Sequence, residues 1–242
     1  MTTTAAVAAP MTTGRTATLA AGVLYLITFV SIPALLLIWP VLNDPNYIVG
    51  AGSDTRVLLG CLLDVVTALA CIGTAVALFP VLRRQNEMLA LGFVTARVFA
   101  ASVILVGVVS LLALVTLRQS IGGPAAADPA VLVTVGRSLV AVRDATFLLG
   151  PGVVPAINAL LLGSILYRFR LVPRILPLVG LVGAPLLLVS SVATLFGGNA
   201  QISGLSTLLV LPIAAWELAL GVWMIVKGFT LATPSPAHGP TR

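Results

Sequence analysis

The stretch MLALGFVTARVFAASVILVGVVSLLALVTL, residues 88–117, decides the class of fold. It contains a single charged side chain, Arg97. A helix rises about 1.5 Å per residue, so about 20 apolar residues are enough to cross the hydrocarbon core of a bilayer. A longer run with so little charge predicts a membrane-spanning helix.

The rest of the chain repeats this pattern. Of its 242 residues, 59% are hydrophobic and 8% are charged, whereas soluble domains contain about 25% charged residues. The apolar runs lie at 16–39, 57–80, 88–117, 137–167, 175–196 and 204–226. They predict an all-α, polytopic transmembrane bundle of six helices over residues 15–229. The flanking residues 1–14 and 230–242, which are rich in Thr, Ala, Pro and Ser, are typical of disordered tails.

The charges between the apolar runs predict the orientation. Arg15, Arg83, Arg84, Arg168, Arg170, Arg174 and Lys227 flank the runs on one side of the membrane, against the single acid Glu87. By the positive-inside rule, this pattern predicts a multi-pass protein of the plasma membrane with both termini in the cytoplasm. The net charge of +6 is spread among the apolar runs, so it indicates contact with membrane lipid and not with nucleic acid.

Ionisable side chains also occur inside the predicted helices. They are Asp64, Arg97, Arg143, Asp144 and Glu217. Each costs roughly 2.5–3.5 kcal/mol at mid-depth of a bilayer on insertion scales, so each should face protein, another charge or water. We therefore predict that these five residues form a buried polar cluster.

Counting residues from the flanking charges gives the depth of each group. Arg97 and Glu217 both lie about 15 Å from the cytoplasmic edge, whereas Asp64 and Arg143 lie about 12 and 9 Å below the outer edge. These depths predict an Arg97–Glu217 pair and an Asp64–Arg143 pair, with Asp144 either neutral or part of the same network. The pairs either fix which helices pack together or line a polar, proton-linked pathway.

The segment VAVRDATFLLGPGVVP, residues 140–155, predicts a broken helix. Pro151 and Pro155 each remove a backbone donor, and Gly150 and Gly152 lower the cost of a break. Asn158, one turn later, is the side chain expected to cap the freed backbone. Such a break either supplies ligands near the middle of the membrane or is a simple kink satisfied by neighbouring Ser, Thr or water.

The sequence lacks the residues that catalytic sites of soluble enzymes commonly use. The single histidine, His238, lies in the C-terminal tail, and no nucleotide-binding or metalloprotease motif occurs. Cys61 and Cys71 lie about 15 Å apart on one helix, too far for a disulfide. We therefore predict no catalytic residues, no metal ligands and no cofactor. The one enzymatic alternative is an aspartyl dyad of Asp64 and Asp144, which the adjacent Arg143 disfavours because it would hold both carboxylates ionised.

Three blocks together resemble the bacterial DUF4386 family of integral membrane proteins. They are FPVLRRQNEMLALGFVTARVF (79–99), RDATFLLGPGVVPAINALLLGSILYRFRLVPR (143–174) and WELALGVWMIVKGF (216–229). The resemblance implies six membrane helices, and it places family positions at Arg97, Asp144, Gly150, Pro151, Gly152, Val172, Pro173, Arg174 and Glu217. The chain has Ala100 where many members carry an acid. The resemblance implies no particular activity.

The sequence thus predicts an integral membrane protein with a buried charge cluster and a fourth helix broken by Gly and Pro. One alternative is a small secondary transporter or channel subunit that uses the cluster and the break. Another is a structural or regulatory subunit that docks on another membrane protein or on a second copy of the chain. A water-accessible cavity at the cluster would favour the transporter.

Overall fold

The computed structural model describes residues 11–50, 52–120 and 128–230, and every regular element within these ranges is helical. Among these residues, six helical runs are long and apolar enough to cross a membrane. They are Gly14–Asn43, Asp54–Leu82, Glu87–Gln119, Pro129–Arg168, Ile175–Leu195 and Gly204–Val226. The prediction of an all-α bundle of six spans is confirmed.

Two of the six spans are each broken into two helices. The first span comprises α1 (Met11–Ile27), a 3₁₀ turn (Thr28–Val30) and α2 (Ser31–Asn43). The fourth comprises α5 (Pro129–Phe147), a π-helical segment (Leu148–Val153) and α6 (Val154–Arg168). The unbroken spans are α3 (Asp54–Leu82), α4 (Glu87–Gln119), α7 (Ile175–Leu195) and α8 (Gly204–Val226).

The fourth span begins earlier than the predicted start at residue 137. The Asp128 side chain accepts a hydrogen bond from the Ala130 backbone N–H at 2.9 Å, and Pro129 occupies the first turn. An Asp cap followed by Pro is a strong helix-start signal, because Asp satisfies a free N–H and Pro has none to satisfy. The cap, and not the onset of the apolar run, sets this boundary.

The N-terminal helix also begins earlier than predicted. Helix α1 starts at Met11, so it includes residues 11–14, which precede the predicted span. Arg15 donates to the carbonyls of Met224 at 2.9 Å and Ile225 at 2.6 Å. These carbonyls belong to the last turn of α8, where backbone acceptors lack partners within the helix. The contact ties the start of the chain to the end of the last span.

The C-terminal end of the described chain is also held to the bundle. The backbone N–H of Thr230 donates to the carbonyl of Leu171 at 2.9 Å. The remaining parts of the two predicted tails, residues 1–10 and 231–242, lie outside the described residues.

The helices pack in a consistent pattern. Helix α3 packs against α4, and α1 packs against both α3 and α8. Helix α7 lies between α6 and α8, while α4 also contacts α5 and α6. Helix α2 continues the first span but packs on α3. Both halves of the first span therefore pack on α3, and the packing on α8 is made by the half before the 3₁₀ turn.

The apolar core is divided between the two ends of the bundle. The termini-end core, at the end of the bundle where α1 begins and α8 ends, includes Tyr25, Phe93 and Trp216. The far-end core, at the opposite end, includes Ile38 and Leu111. Between them lies a layer that contains buried charged and polar side chains. This layer holds the candidate site.

A close approach of α1 and α8 positions two side chains of that layer. A Cβ on Gly22 would lie 2.9 Å from the carbonyl oxygen of Gly221, so glycine is required for the two backbones to pass this closely. Tyr25 and Glu217 each lie one helical turn from this crossing, on the side toward the middle of the bundle. The crossing therefore brings them together.

Candidate functional site

A cavity of about 170 Å³ lies in the polar layer between the two cores. One water molecule needs about 10–15 Å³ on this measure, so the cavity has room for several waters or a small solute. Its ionisable lining residues are Asp64, Arg97, Arg143 and Glu217. Its other polar side chains are Thr28, Ser31, Thr67, Thr146 and Asn158. Four of the five residues predicted to cluster thus line one cavity.

Asp64 and Arg143 form a direct ion pair across the cavity wall. Arg143 Nη2 lies 3.1 Å from Asp64 Oδ2, and both side chains are buried. The guanidinium also lies over the Phe147 ring, 5.2 Å from its centroid. Hydrogen bonds between charged groups are stronger than neutral ones, and a buried ion needs such a partner. The structure confirms the pairing predicted from depth.

Arg97 and Glu217 do not form the direct ion pair that the sequence predicted. The ion pairs within the described residues do not include one between them. Instead, the Arg97 guanidinium lies over the Tyr25 ring, 4.6 Å from its centroid. The Tyr25 hydroxyl donates to Glu217 Oε1 at 3.4 Å. Tyr25 therefore connects the two charges through opposite features of one side chain, its ring face and its hydroxyl.

Sequence reasoning missed Tyr25, although the sequence contains a signal for it. The two other tyrosines, Tyr47 and Tyr167, lie near the ends of predicted helices, where the amphipathic ring favours the membrane interface. Tyr25 lies in the middle of the first apolar run and is fully buried. A tyrosine at that depth needs a polar partner for its hydroxyl, which is a sign of a polar site.

Arg97 retains unsatisfied hydrogen-bonding capacity. Arg97 is only 4% exposed, and its Nε and Nη2 atoms are buried without a hydrogen-bond partner in the part of the chain that the structure describes. The Oδ1 atom of Asn158, which also lines the cavity, is likewise buried without a partner. Most buried polar atoms in proteins are hydrogen-bonded, so unpaired donors and acceptors around one cavity need an explanation.

Asp144 lies outside this cavity, contrary to the prediction of a five-residue cluster. It is exposed and lines a separate cavity of about 180 Å³ toward the far end, together with Asp44 and Arg137. Successive residues of a helix project about 100° apart. Arg143 and Asp144 therefore face two different cavities, which explains why a membrane helix carries both charges side by side.

The predicted helix break is present, but its cap is not the predicted one. The chain forms a π-helical segment at Leu148–Val153. The side chain that satisfies its backbone is Ser191 of α7, whose hydroxyl donates to the Gly152 carbonyl at 2.8 Å. Asn158 does not cap this backbone, because its side chain lines the cavity one turn further on. A serine of a neighbouring helix is thus the partner, as in the alternative of a kink that is satisfied by a neighbouring Ser, Thr or water.

Some residues of the break line the cavity, and others contact the neighbouring helix α7. Gly150, Pro151 and Pro155 line the cavity, whereas the Gly152 carbonyl turns toward α7. The wider turn of a π segment displaces backbone from the regular helical path. The break thus forms part of the cavity wall.

A second polar cluster closes the far end of the bundle. Arg118 Nη1 lies 2.6 Å from Asp54 Oδ1, and the guanidinium lies 4.7 Å from the centroid of the Tyr47 ring. The Tyr47 hydroxyl donates to the Ser53 carbonyl at 3.1 Å. Burial raises the pKa of Tyr47 above its ordinary value, which keeps the hydroxyl a donor. This cluster ties the loop after α2 to α3 and α4.

The described residues contain no group of three or more His, Cys, Asp or Glu side chains arranged to hold a metal ion. Both cysteines are free and buried. Cys71 lines the central cavity, while Cys61 lies in the far-end core.

Comparison with known proteins gives one match. The model of a family described as a domain of unknown function (DUF4386) matches residues 20–228. No curated protein and no solved structure matches the chain.

Proposed function

We propose that this chain, which belongs to the DUF4386 family, is a small transporter of the plasma membrane that binds a polar solute in the central cavity. One observation carries the proposal. Arg97 is buried beside a cavity at the middle of the bundle, and two of its nitrogen atoms have no hydrogen-bond partner. A bound solute would supply the missing acceptors.

A purely structural role explains this arrangement less well. If the buried charges served only to select which helices pack together, each would be expected to meet its partner directly, as Asp64 meets Arg143. Arg97 instead contacts the faces of Tyr25 and Phe93. Placing an unpaired arginine in a bilayer costs several kcal/mol, and a packing role alone does not require that cost.

The two broken spans support the same proposal. They are the first and the fourth spans. When the six spans are divided into two halves of three, each broken span is the first of its half. In secondary transporters, interrupted helices at corresponding positions of the two halves mark the binding site. Here Thr28 and Ser31 from the first break and Gly150 and Pro151 from the second all line the cavity.

We place the opening of the cavity between α2 and α8. Helix α1 packs on both α3 and α8, whereas α2 packs on α3, so the first span diverges from α8 at the 3₁₀ turn. Thr28 and Ser31 line the cavity on one side of this divergence, and Val210 and Ile213 line it on the other. Movement of α2 relative to α8 would then control access.

The two native cysteines provide a matched test of water access. A Cys61→Ala variant keeps only Cys71, which lines the cavity, whereas a Cys71→Ala variant keeps only Cys61 in the far-end core. The two side chains are similarly buried, at 5% and 3% exposed. We expect a small, charged thiol reagent to modify Cys71 and to leave Cys61 unmodified, as measured by the mass of the intact protein.

Two further positions extend the test. Ala214→Cys places a thiol in the cavity wall, and Val182→Cys places one on the exposed apolar surface of α7. With both native cysteines replaced, the cysteine at residue 214 should react with the charged reagent. The cysteine at residue 182 should not react, because it faces lipid. Inert thiols at residues 71 and 214 would contradict the proposal and favour a structural or regulatory subunit.

A further inference from the structure

We infer that the ligand of the central cavity is a small zwitterion, with its carboxylate at Arg97 and its ammonium group toward Glu217. The inference rests on the proposed function, because it names the class of solute that the same cavity would bind. It is based on two features of the cavity wall: its charges balance, and it contains buried donor and acceptor atoms without hydrogen-bond partners.

The charges of the cavity wall favour a ligand of zero net charge. Asp64 neutralises Arg143 directly, and the formal charges of Arg97 and Glu217 balance across Tyr25. A net anion or cation would therefore add an uncompensated charge in a medium of low dielectric constant, which is unfavourable. An apolar ligand would leave the buried donors of Arg97 unsatisfied. A dipolar ligand with one charge of each sign avoids both costs.

Arg97 is oriented to receive a carboxylate. Its guanidinium carbon lies 4.6 Å from the centroid of the Tyr25 ring, and its Nε and Nη2 atoms have no hydrogen-bond partner among the described residues. The edge of a guanidinium presents parallel N–H groups that match the two oxygens of a carboxylate. The ring contact holds the group in place without using these donors.

The opposite pole of the ligand has acceptors available. Among the described residues, Glu217 accepts one hydrogen bond, the long one from Tyr25 at 3.4 Å. Asn158 Oδ1 has no partner, and both side chains line the same cavity as Arg97. An ammonium group carries three donors and no acceptor, so it suits a carboxylate and an amide oxygen.

The cavity sets the size of the ligand. A volume of about 170 Å³ is below the range of about 300–1,000 Å³ that is common for drug-sized ligands. Its apolar wall includes Ala100, Ile104 and Ala214, which offers space for a short aliphatic group. Glycine and L-alanine are therefore suitable probes.

The Cys71 assay can test this inference directly. The full-length Cys61→Ala variant is labelled in the presence of glycine or L-alanine, and separately with propionate or ethylamine. Propionate and ethylamine each carry one of the two charges of L-alanine. We expect the two amino acids to slow modification of Cys71, and we expect propionate and ethylamine to have little effect at equal concentration.

A second variant tests the assignment of the ammonium pole. Glu217→Gln removes the negative charge and keeps the shape, so L-alanine should protect Cys71 roughly 10- to 100-fold less well, the factor expected for loss of a charged hydrogen bond. Propionate should now protect, because the altered cavity has a net positive charge. Glu87→Gln, at an exposed position at the start of α4, is the matched control and should leave the preference unchanged.

Thermal unfolding of the intact chain with the same compounds gives a readout that does not depend on labelling. A rise in Tm with L-alanine but not with propionate supports the inference. If Cys71 is modified at the same rate with every compound and no compound raises Tm, the zwitterion is excluded while the water-accessible cavity stands. If Cys71 is inert and no compound raises Tm, both proposals fail.

Discussion

At the scale of single residues, Tyr25 contacts both of the opposite charges, Arg97 and Glu217. Its ring holds the Arg97 guanidinium at 4.6 Å and its hydroxyl reaches Glu217 at 3.4 Å. Cation–π contacts gain strength when they are removed from water. The side chain can thus keep Arg97 oriented in the absence of a carboxylate partner.

Substitution of Tyr25 should distinguish the ring from the hydroxyl. Tyr25→Phe keeps the cation–π contact and should lower the free energy of unfolding by about 1 kcal/mol. Tyr25→Leu also loses the ring and should lower it by about 2–4 kcal/mol. Reversible unfolding in detergent measures both. Equal losses for the two variants would show that the ring contact with Arg97 contributes nothing.

Asp64 and Asp54 offer a comparison between a buried and a more exposed ion pair. Asp64→Asn leaves the buried Arg143 without its carboxylate and should destabilise the protein by about 3–5 kcal/mol. Asp54→Asn disturbs the pair with Arg118, whose side chains are 27% and 14% exposed, and should cost about 1 kcal/mol or less. Denaturant titration of both variants gives the two values.

A double substitution checks that the loss at Asp64 comes from the unpaired charge. Asp64→Leu combined with Arg143→Met should restore most of the stability, because replacing both members of a buried pair by apolar groups is often neutral. If the double variant is no more stable than Asp64→Asn, the ion pair is not the cause of the loss.

The residues of the site could be predicted only in part from the sequence. Helix rise gives the depth of a side chain, which was sufficient to pair Asp64 with Arg143. Depth does not give the direction in which a side chain points around the helix axis. In a membrane bundle, lipid-facing and protein-facing positions are both apolar, so the pattern of hydrophobic residues does not supply that direction. The contacts of Tyr25 and Ser191 could not be predicted for this reason.

At the scale of helices, proline alone did not determine where a span breaks. Pro185 and Pro212 lie inside α7 and α8, which remain single helices. Pro151 lies in the π-helical segment, where two glycines flank it. The break is stable because a neighbouring helix supplies a donor for the displaced backbone, the hydroxyl of Ser191. Such a partner comes from the packing of α7 on the segment, which the local sequence does not specify.

Removal of that donor should weaken the fourth span. Ser191→Ala leaves the Gly152 carbonyl without its hydroxyl partner and should lower the free energy of unfolding by about 1–3 kcal/mol. Ser190→Ala, at an adjacent and equally buried position, is the control and should have a smaller effect. Hydrogen exchange of the α5–α6 backbone should rise in Ser191→Ala only. Equal exchange in both variants would exclude Ser191 as the cap.

At the scale of the whole molecule, the distribution of charge separates the site from the membrane surfaces. The ionisable groups of the central cavity balance one another, and the excess of positive charge lies toward the ends of the spans. Six predicted spans were recovered because length and apolarity suffice to recognise them. The division into two apolar cores with a polar layer between them was not predictable, since it depends on how broken spans pack.

The arginines at the end of the bundle where α1 begins and α8 ends lead to a prediction about orientation. Arg83 and Arg84 follow α3, and three more arginines lie at the end of α6 and just after it, namely Arg168, Arg170 and Arg174. By the positive-inside rule this end should face the cytoplasm.

In intact cells, a single cysteine at Gln85 should therefore be protected from a membrane-impermeant thiol reagent, and one at Gln119, at the opposite end of α4, should react. An even number of spans requires both termini to share the side of Gln85, so a terminus labelled with Gln119 would contradict the six-span topology. If the cysteine at position 85 reacts and the one at position 119 does not, the orientation is the reverse of the predicted one, but the six-span topology is unaffected.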